Sequence, residues 1–345
     1  MDTCAVAGAG GYVGRRLVTT LVGDGARVVA LGRRADLLPP GAERRAVDVG
    51  DRAAVADALA GVATAYYLVH SMAGGRDFAE RDRALAESFA GGAADAGVGR
   101  VVYLGGLGHD VRSEHLRSRQ EVGAALAGSG VPVVELRAAV VIGAGSISFE
   151  MLRYLTERLP VMVCPRWITT RVQPVAEGDL LRYLVQAARV PPGVYEIGGP
   201  EATTYRDMIA TYAEVRGLRS RLILDVPVLT PWLSAWWVDL VTPVDRRVSH
   251  ALIESLVTET VVTDPEPAAR AFDVEPLGVA EAIEAALREQ ADRVPAALLD
   301  VGAGLRDGVY AMRSHAAIGT DDVDGARDDL ATCGHDLEWY GLARA

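Results

Sequence analysis

The chain begins with a short apolar run, a glycine-rich turn and then an amphipathic helix. The run Cys4–Ala7 is followed by Gly-Ala-Gly-Gly-Tyr-Val-Gly at positions 8–14, and Leu17 and Leu21 share one face of the predicted helix. So tight a turn after a buried strand needs residues without a side chain. The free amides at the start of such a helix bind a pyrophosphate. The order strand, turn, helix predicts a dinucleotide site, although a chain with 37 glycines also permits a plain turn. The predicted contacts are Gly8, Gly10, Gly11, Tyr12, Val13 and Gly14.

Apolar segments alternate with helical ones through the first half of the chain. Further strands are predicted at 28–31, 45–47, 65–69, 100–104 and 131–136, with helices such as 78–96 and 113–127 between them. Near-continuous apolar strands that alternate with helices are typical of a parallel sheet covered on both faces. Right-handed crossovers then give an α/β, doubly wound (Rossmann) fold with its ligand at the carboxyl ends of the strands.

The pattern changes after about residue 146. Helices are predicted at 149–159, 205–216 and 279–290, and a strand at 193–197. We therefore expect a Rossmann domain at 1–146, which strands returning from the second half can join, and a smaller α+β substrate lobe at 147–294. Trp232, Trp236 and Trp237 lie in this second lobe, where they could line a pocket, fill the core or form a dimer patch.

Composition excludes several classes of function. The net charge of −11 leaves no basic face for nucleic acid. All 35 basic residues are arginine, so no chemistry that needs a lysine is available. The three cysteines are far apart and predict neither a metal site nor a disulfide framework. With no apolar run of membrane-spanning length and no signal peptide before the first strand, we expect a cytoplasmic protein.

Two arginines follow the second predicted strand, where the choice between the nicotinamide cofactors is made. An acidic residue there binds a ribose hydroxyl, whereas an arginine accommodates the 2′-phosphate of NADP. This chain has Arg33 and Arg34 and no acid, which favours NADP(H) over NAD(H), although both could simply be solvated. Asp48 and Val49 follow the third strand and are predicted near the adenine, but Asp48 could equally cap the next helix.

The glycine motif resembles that of extended and atypical short-chain dehydrogenases/reductases. The likeness extends over roughly residues 3–290 and is carried by the segments 67–72, 103–107, 115–119, 135–145, 165–167, 173–175 and 195–200. These segments resemble an NmrA-like, NAD(P)-binding branch whose members often carry a C-terminal START-like domain. The tail at 295–345 is similar to the start of that domain and too short to complete it.

The resemblance also shows departures at the positions of catalysis. The wider family uses a serine at the end of the fifth strand and Tyr-x-x-x-Lys on the next helix. Here the serine positions hold Gly105 and Gly106, and the tyrosine and lysine positions hold His115 and Arg119. One helical turn places both side chains on one face, where Arg119 would bind the nicotinamide ribose. His115 is either a general acid or base, or a contact to cofactor or substrate.

Two more histidines lie near the predicted site. Val69 and His70 follow the fourth strand close to the expected nicotinamide, so His70 is a further candidate for cofactor contact or catalysis. His109 follows the fifth strand and is a weaker one.

The sequence therefore predicts an NADP(H)-dependent oxidoreductase that acts on an apolar or aromatic carbonyl or enone. Its partner would be this small molecule, with neither nucleic acid nor a membrane span, and a homodimer is possible. The alternatives are an NADP-sensing binding protein without turnover and an enzyme of the same fold that catalyses an isomerisation or cyclisation.

Overall fold

A computed structural model describes residues 3–70, 78–109, 114–226 and 257–292. Within these ranges the strands are β1 (Cys4–Ala7), β2 (Val28–Gly32), β3 (Glu43–Ala46), β4 (Thr64–Tyr67), β5 (Arg100–Gly106), β6 (Val133–Ala138), β7 (Val141–Ile142), β8 (Val161–Pro165), β9 (Arg171–Val172), β10 (Val175–Ala176), β11 (Gly193–Ile197), β12 (Thr203–Thr204) and β13 (Leu222–Val226). The helices are α1 (Tyr12–Gly23), α2 (Arg52–Ala58), α3 (Phe78–Asp95), α4 (Glu114–Ala127), α5 (Ile147–Arg158), α6 (Glu177–Ala187), α7 (Tyr205–Val215), α8 (Glu266–Ala271) and α9 (Val279–Asp292).

Seven strands form one parallel sheet in the order β3-β2-β1-β4-β5-β6-β11. Chain order runs outward in one direction from β1 to β3 and in the other from β4 to β11. The topological switch point therefore lies between β1 and β4, and a ligand is expected outside the carboxyl ends of these strands. The predicted doubly wound Rossmann fold is confirmed.

Helices cover both faces of this sheet and bury its apolar side chains. On one face α1 and α6 pack together through residues such as Leu17 and Leu180. On the other face α2, α3 and α4 enclose a cluster that contains Phe89 and Leu126. Each large apolar side chain buried in this way contributes roughly 2 kcal/mol.

The sheet crosses the expected boundary at residue 146. Strand β11 pairs with β6 in parallel register, with Tyr195 opposite Leu136. Helix α6 precedes β11 in the chain and packs on the same sheet face as α1. The second half therefore supplies a strand and a helix to the dinucleotide-binding sheet.

The rest of the described second half has its own core. Helices α5, α7 and α9 pack around side chains that include Phe149, Met208 and Ile283. Short strand pairs, β7 with β10, β9 with β12 and β8 with β13, border this cluster. The three tryptophans at 232, 236 and 237 and the tail at 295–345 lie outside the described residues.

None of the helices in the described ranges combines the length and the apolar character that crossing a bilayer requires.

Candidate cofactor and active site

Two positions of the glycine turn have no room for a side chain. Gly8 has a φ of +83°, and a Cβ there would be 2.6 Å from the carbonyl oxygen of Leu68. A Cβ on Gly14 would collide with the carbonyl oxygen of Gly8. These contacts bring the start of α1 against β1 and the segment after β4, as a close backbone approach to a pyrophosphate requires.

The outer side of the same turn is open. Among the described residues, an added Cβ at Gly10 would have one neighbour within 4 Å, Leu38 Cδ2 at 3.9 Å, and the N-cap residue Gly11 has no side chain to cap α1. Arg15 donates from Nε to the Gly10 carbonyl at 2.9 Å and from Nη2 to the Leu37 carbonyl at 2.7 Å. The turn is thus tied to the loop after β2, and its first-turn amides suit an anion.

Val13 and Tyr12 use their side chains elsewhere. Val13 packs against the core on the α1 face. The Tyr12 hydroxyl donates to Glu177 at the start of α6, and burial, then the Glu177 charge, raise the Tyr12 pKa. Arg16 Nε lies 2.7 Å from Glu177 Oε1, and Arg16 Nη1 lies 2.7 Å from Glu289 Oε1 on α9. Any contact of Tyr12 with a dinucleotide in the turn would therefore be made by its backbone.

Arg33 and Arg34 directly follow β2 and are exposed. Neither guanidinium has a hydrogen bond or ion pair within the part of the chain that the structure describes. Two unpaired cations at the carboxyl edge of β2 leave both forks available for a phosphate.

Asp48 does not cap the helix that follows β3. Its carboxylate accepts a hydrogen bond from the Gly50 amide at 2.9 Å, which closes a local turn. The cap of α2 is Asp51, which accepts from the amides of Ala53 and Ala54. The helix-cap interpretation of Asp48 is wrong, because a carboxylate caps a helix from the residue next to its first turn. Asp48 is exposed at the carboxyl edge of β3, while the neighbouring Val49 is buried in the core.

His70 lies next to the glycine turn, because Gly8 packs against the backbone of Leu68 and Val69. Its Nδ1 is 3.3 Å from Oδ2 of Asp82 on α3. Burial lowers the His70 pKa, the positive charge of Arg119 lowers it further, and Asp82 acts in the opposite direction. His70 and Arg119, two of the predicted catalytic residues, therefore come together at the switch point.

The side chain of Arg119, on α4, reaches the end of β5. It donates from Nη2 to the Leu104 carbonyl, and its own carbonyl accepts from the Tyr103 hydroxyl at 2.8 Å. Burial raises the Tyr103 pKa to about 12 even though Arg119 opposes this shift. A Cβ on Gly106 would come within 3.2 Å of Arg119 Cδ and 2.9 Å of Leu116 Cδ2.

A buried carboxylate lies beneath the other glycine at the end of β5. Glu135 on β6 is 5% exposed and pairs with Arg137 Nε at 2.7 Å. A Cβ on Gly105 would be 2.8 Å from Glu135 Oε1, and one on Gly123 of α4 would be 2.5 Å from Oε2. A side chain on Gly105 or Gly106 would therefore require Glu135, or Leu116 and Arg119, to shift. Glu135 is not predictable as a site residue from the sequence, because an alternating Glu-Leu-Arg is typical of an ordinary strand edge.

The other two candidate histidines are His115 and His109. His115 lies in the first turn of α4, four residues before Arg119, and its side chain is outside the described part of the molecule. His109 Nε2 lies 2.9 Å from Glu196 Oε1 at the end of β11 and 2.9 Å from Thr263 Oγ1. His109 therefore bridges β5 to β11 at the carboxyl edge.

Comparison with known proteins agrees with this geometry. Residues 8–137 match a family model described as NAD(P)H-binding. An uncharacterised protein of Mycobacterium tuberculosis is 27% identical over 247 residues, which cover 65% of this chain and 27% of that protein. The chain thus spans about a quarter of the length of the curated relatives it matches.

Solved structures of several enzymes share the fold. The enzyme WbmH of Bordetella bronchiseptica, in complex with NAD+, superimposes with a TM-score of 0.62 at 18% identity over 85% of this chain and 99% of WbmH. A nucleoside-diphosphate-sugar epimerase of Staphylococcus aureus gives 0.65 at 14% identity, with coverages of 82% and 100%. An NADPH-dependent quinone oxidoreductase of Escherichia coli gives 0.63 at 20% identity, with coverages of 81% and 98%.

The glycine turn, the switch point of the sheet and the match to the family model all indicate a dinucleotide-binding domain. The chain carries an NAD(P)H-binding domain of Rossmann fold, with polar side chains gathered where the strands β4 and β5 end.

Proposed function

We propose that this protein is an NADP(H)-dependent oxidoreductase that reduces an apolar or aromatic carbonyl or enone. The observation that carries the proposal is the meeting of His70 and Arg119 beside the glycine turn, at the switch point of the sheet. Ligands of doubly wound sheets bind at that point, and an imidazole is the side chain best suited to exchange protons near neutral pH.

The residues around the turn fit a dinucleotide phosphate. Gly8 and Gly14 close the turn on the protein side, while Gly10 and the uncapped start of α1 leave its outer side open. Arg33, supported by Arg34, would bind a 2′-phosphate through a guanidinium fork, which favours NADPH over NADH. Asp48 and Val49 at the end of β3 would border the adenine. The solved structures that share the fold include both an enzyme in complex with NAD+ and an NADPH-dependent quinone oxidoreductase, so the proposed preference for NADPH depends on Arg33 and Arg34.

Catalysis requires one proton for each hydride. NADPH, when bound, supplies a hydride to the carbonyl carbon. The protein must deliver a proton to the carbonyl oxygen, and among the described side chains His70 is our first candidate for this role. His115 is the second candidate for this proton, since it shares the register of Arg119 on α4. Arg119 would hold a ribose hydroxyl with a donor left over from its bond to Leu104.

A second candidate function, NADP sensing without turnover, is favoured by one observation. Gly105 and Gly106 stand where the wider family that this chain resembles has a serine, and a Cβ on either glycine would lie within 3.2 Å of Glu135, Leu116 or Arg119. The hydroxyl that polarises the carbonyl in that family therefore has no counterpart at these two glycines, while the glycine turn is present.

Turnover separates the two functions. Purified protein with NADPH should show substrate-dependent loss of NADPH absorbance for some member of a panel of quinones, enones and aromatic carbonyls. His70→Gln should lower kcat by about 100-fold or more. His109→Gln, a matched change in a histidine engaged with Glu196, should not. No turnover across the panel, with NADPH still bound tightly, would favour the sensor.

A further inference from the structure

The carboxylate of Asp82 is buried next to the imidazole of His70. Asp82 lies in the second turn of α3 and is 2% exposed, on the helix face that also buries Ala86 and Phe89. The aromatic rings of Tyr67 and Tyr103 lie nearby, since the Asp82 charge raises the pKa of both phenols. Burying a carboxylate costs several kcal/mol unless a partner offsets this cost, so apolar packing alone does not explain an aspartate at this position.

The partner that the structure offers is an imidazole nitrogen. Asp82 Oδ2 lies 3.3 Å from His70 Nδ1 and shares a hydrogen bond with it. An ionised carboxylate can only accept, so the proton of this bond belongs to Nδ1. In a neutral imidazole only one nitrogen carries a proton, which leaves Nε2 with its lone pair.

The charge of Arg119 decides which form of His70 prevails. Its guanidinium lies close enough to disfavour a second positive charge, and burial acts in the same direction, so the His70 pKa lies below its ordinary value. Asp82 offsets part of this effect and stabilises the imidazolium when it forms. The neutral imidazole of His70 thus lies near both a carboxylate of α3 and a guanidinium of α4.

We infer that Asp82 is a positioning residue that holds His70 as the Nδ1–H tautomer, so that Nε2, which is buried in this structure, is the nitrogen that gains and loses a proton. The inference rests on the proposed function for its catalytic meaning. In the reducing direction, the minor imidazolium form of His70 would give its Nε2 proton to the carbonyl oxygen, while NADPH, when bound, would supply the hydride to the carbonyl carbon. The Nε2–H bond, the C–H bond of the reduced nicotinamide and the carbonyl π bond would break, the O–H and C–H bonds of the alcohol would form, and neutral His70 would regain a proton from solvent.

The tautomer can be measured without cofactor or substrate. The ¹⁵N chemical shifts of the imidazole nitrogens in histidine-labelled protein distinguish the Nδ1–H, Nε2–H and doubly protonated forms. The signal of His70 is assigned by its loss in His70→Gln. We expect the Nδ1–H form at pH 7.5 in the wild type, and a loss of that preference in Asp82→Asn or Asp82→Ala. Asp95→Asn, a change in an exposed aspartate that ends the same helix, should leave the signal unchanged.

Two outcomes would overturn the inference. One is a wild-type His70 in the Nε2–H form, which needs no variant to be folded. The other is an unchanged tautomer in folded Asp82→Asn. Where turnover is found, Asp82→Asn should lower kcat by about 100-fold, with KM nearly unchanged. If no substrate is found, the proposed function fails, but the tautomer of His70 and its dependence on Asp82 are still decided by the ¹⁵N chemical shifts.

Discussion

The side chain of Arg119 lies against the backbone of Gly106, where a Cβ would come within 3.2 Å of its Cδ and 3.4 Å of its Nε. Arg119 and Gly106 are therefore coupled by packing. Gly106→Ser should destabilise the protein by about 1–3 kcal/mol, because the new atoms displace Arg119 and Leu116. Urea unfolding of Gly106→Ser, Arg119→Ala and the double variant measures the coupling. Strict additivity of the two single changes would show that the residues do not share this space.

The closed side of the glycine turn predicts a sharp difference between two glycines of one helix. Gly14→Ala should cost about 3 kcal/mol or more, since its Cβ would overlap the Gly8 carbonyl, and it should weaken NADPH binding. Gly23→Ala meets nothing within 4 Å and should be neutral or slightly stabilising, because alanine favours a helix. Thermal unfolding of both variants tests this, and equal effects would contradict the close approach of α1 to β1.

Arg16 should contribute far more to stability than a surface arginine with a similar ion pair. It bonds Glu177, Glu289 and the Ala144 carbonyl, and its removal leaves a largely buried Glu177 without its cation. We expect Arg16→Met to lower the free energy of unfolding by about 3 kcal/mol. Arg52→Met, which breaks an exposed pair with Asp95, should have a much smaller effect. Denaturant titration compares them, and similar losses would mean that the Arg16 network adds little.

The lowered pKa of His70 makes stability depend on pH. An unfolded chain binds a proton at His70 near its ordinary pKa of 6.5, whereas the folded protein does so only at lower pH. Protons therefore favour unfolding, so this part of the stability is present above about pH 6.5 and is lost as the pH falls below it. The slope for one such group approaches ~1.4 kcal/mol per pH unit. The free energy of unfolding, measured from pH 7.5 to 5.5, should fall less steeply with pH in His70→Gln than in the wild type. Equal slopes would rule out a buried neutral imidazole.

Local patterns were sufficient to predict the fold. The glycine turn and the apolar runs predicted β1, β2, β4, β5 and β6 to within a few residues, because each of these signals is carried by neighbouring residues. The strand at 193–197 was also predicted, but its place beside β6 depends on contacts across about 60 residues of sequence. The pattern of neighbouring residues does not show which distant strand such a strand pairs with.

The candidate site was only partly predictable for the same reason. His70 and Arg119 were proposed separately from their strand and helix positions, and their meeting follows from the sheet order. Asp82 and Glu135 were missed because a single acidic residue in a helix or strand resembles a solvated surface residue. Only their burial shows that each serves another side chain.

Selective binding of NADPH through Arg33 is tested by calorimetric titration of the wild type, Arg33→Ala and Arg27→Ala with NADPH and with NADH. Arg27 is an exposed arginine just before the opposite end of β2, so it controls for loss of charge alone. We expect the wild type to bind NADPH selectively, and we expect Arg33→Ala to weaken this binding at least ~10-fold, or about 1.4 kcal/mol. Arg27→Ala should bind NADPH as the wild type does, and NADH binding should be alike in all three proteins. Equal affinity of the wild type for both cofactors, or binding of neither, would contradict this expectation.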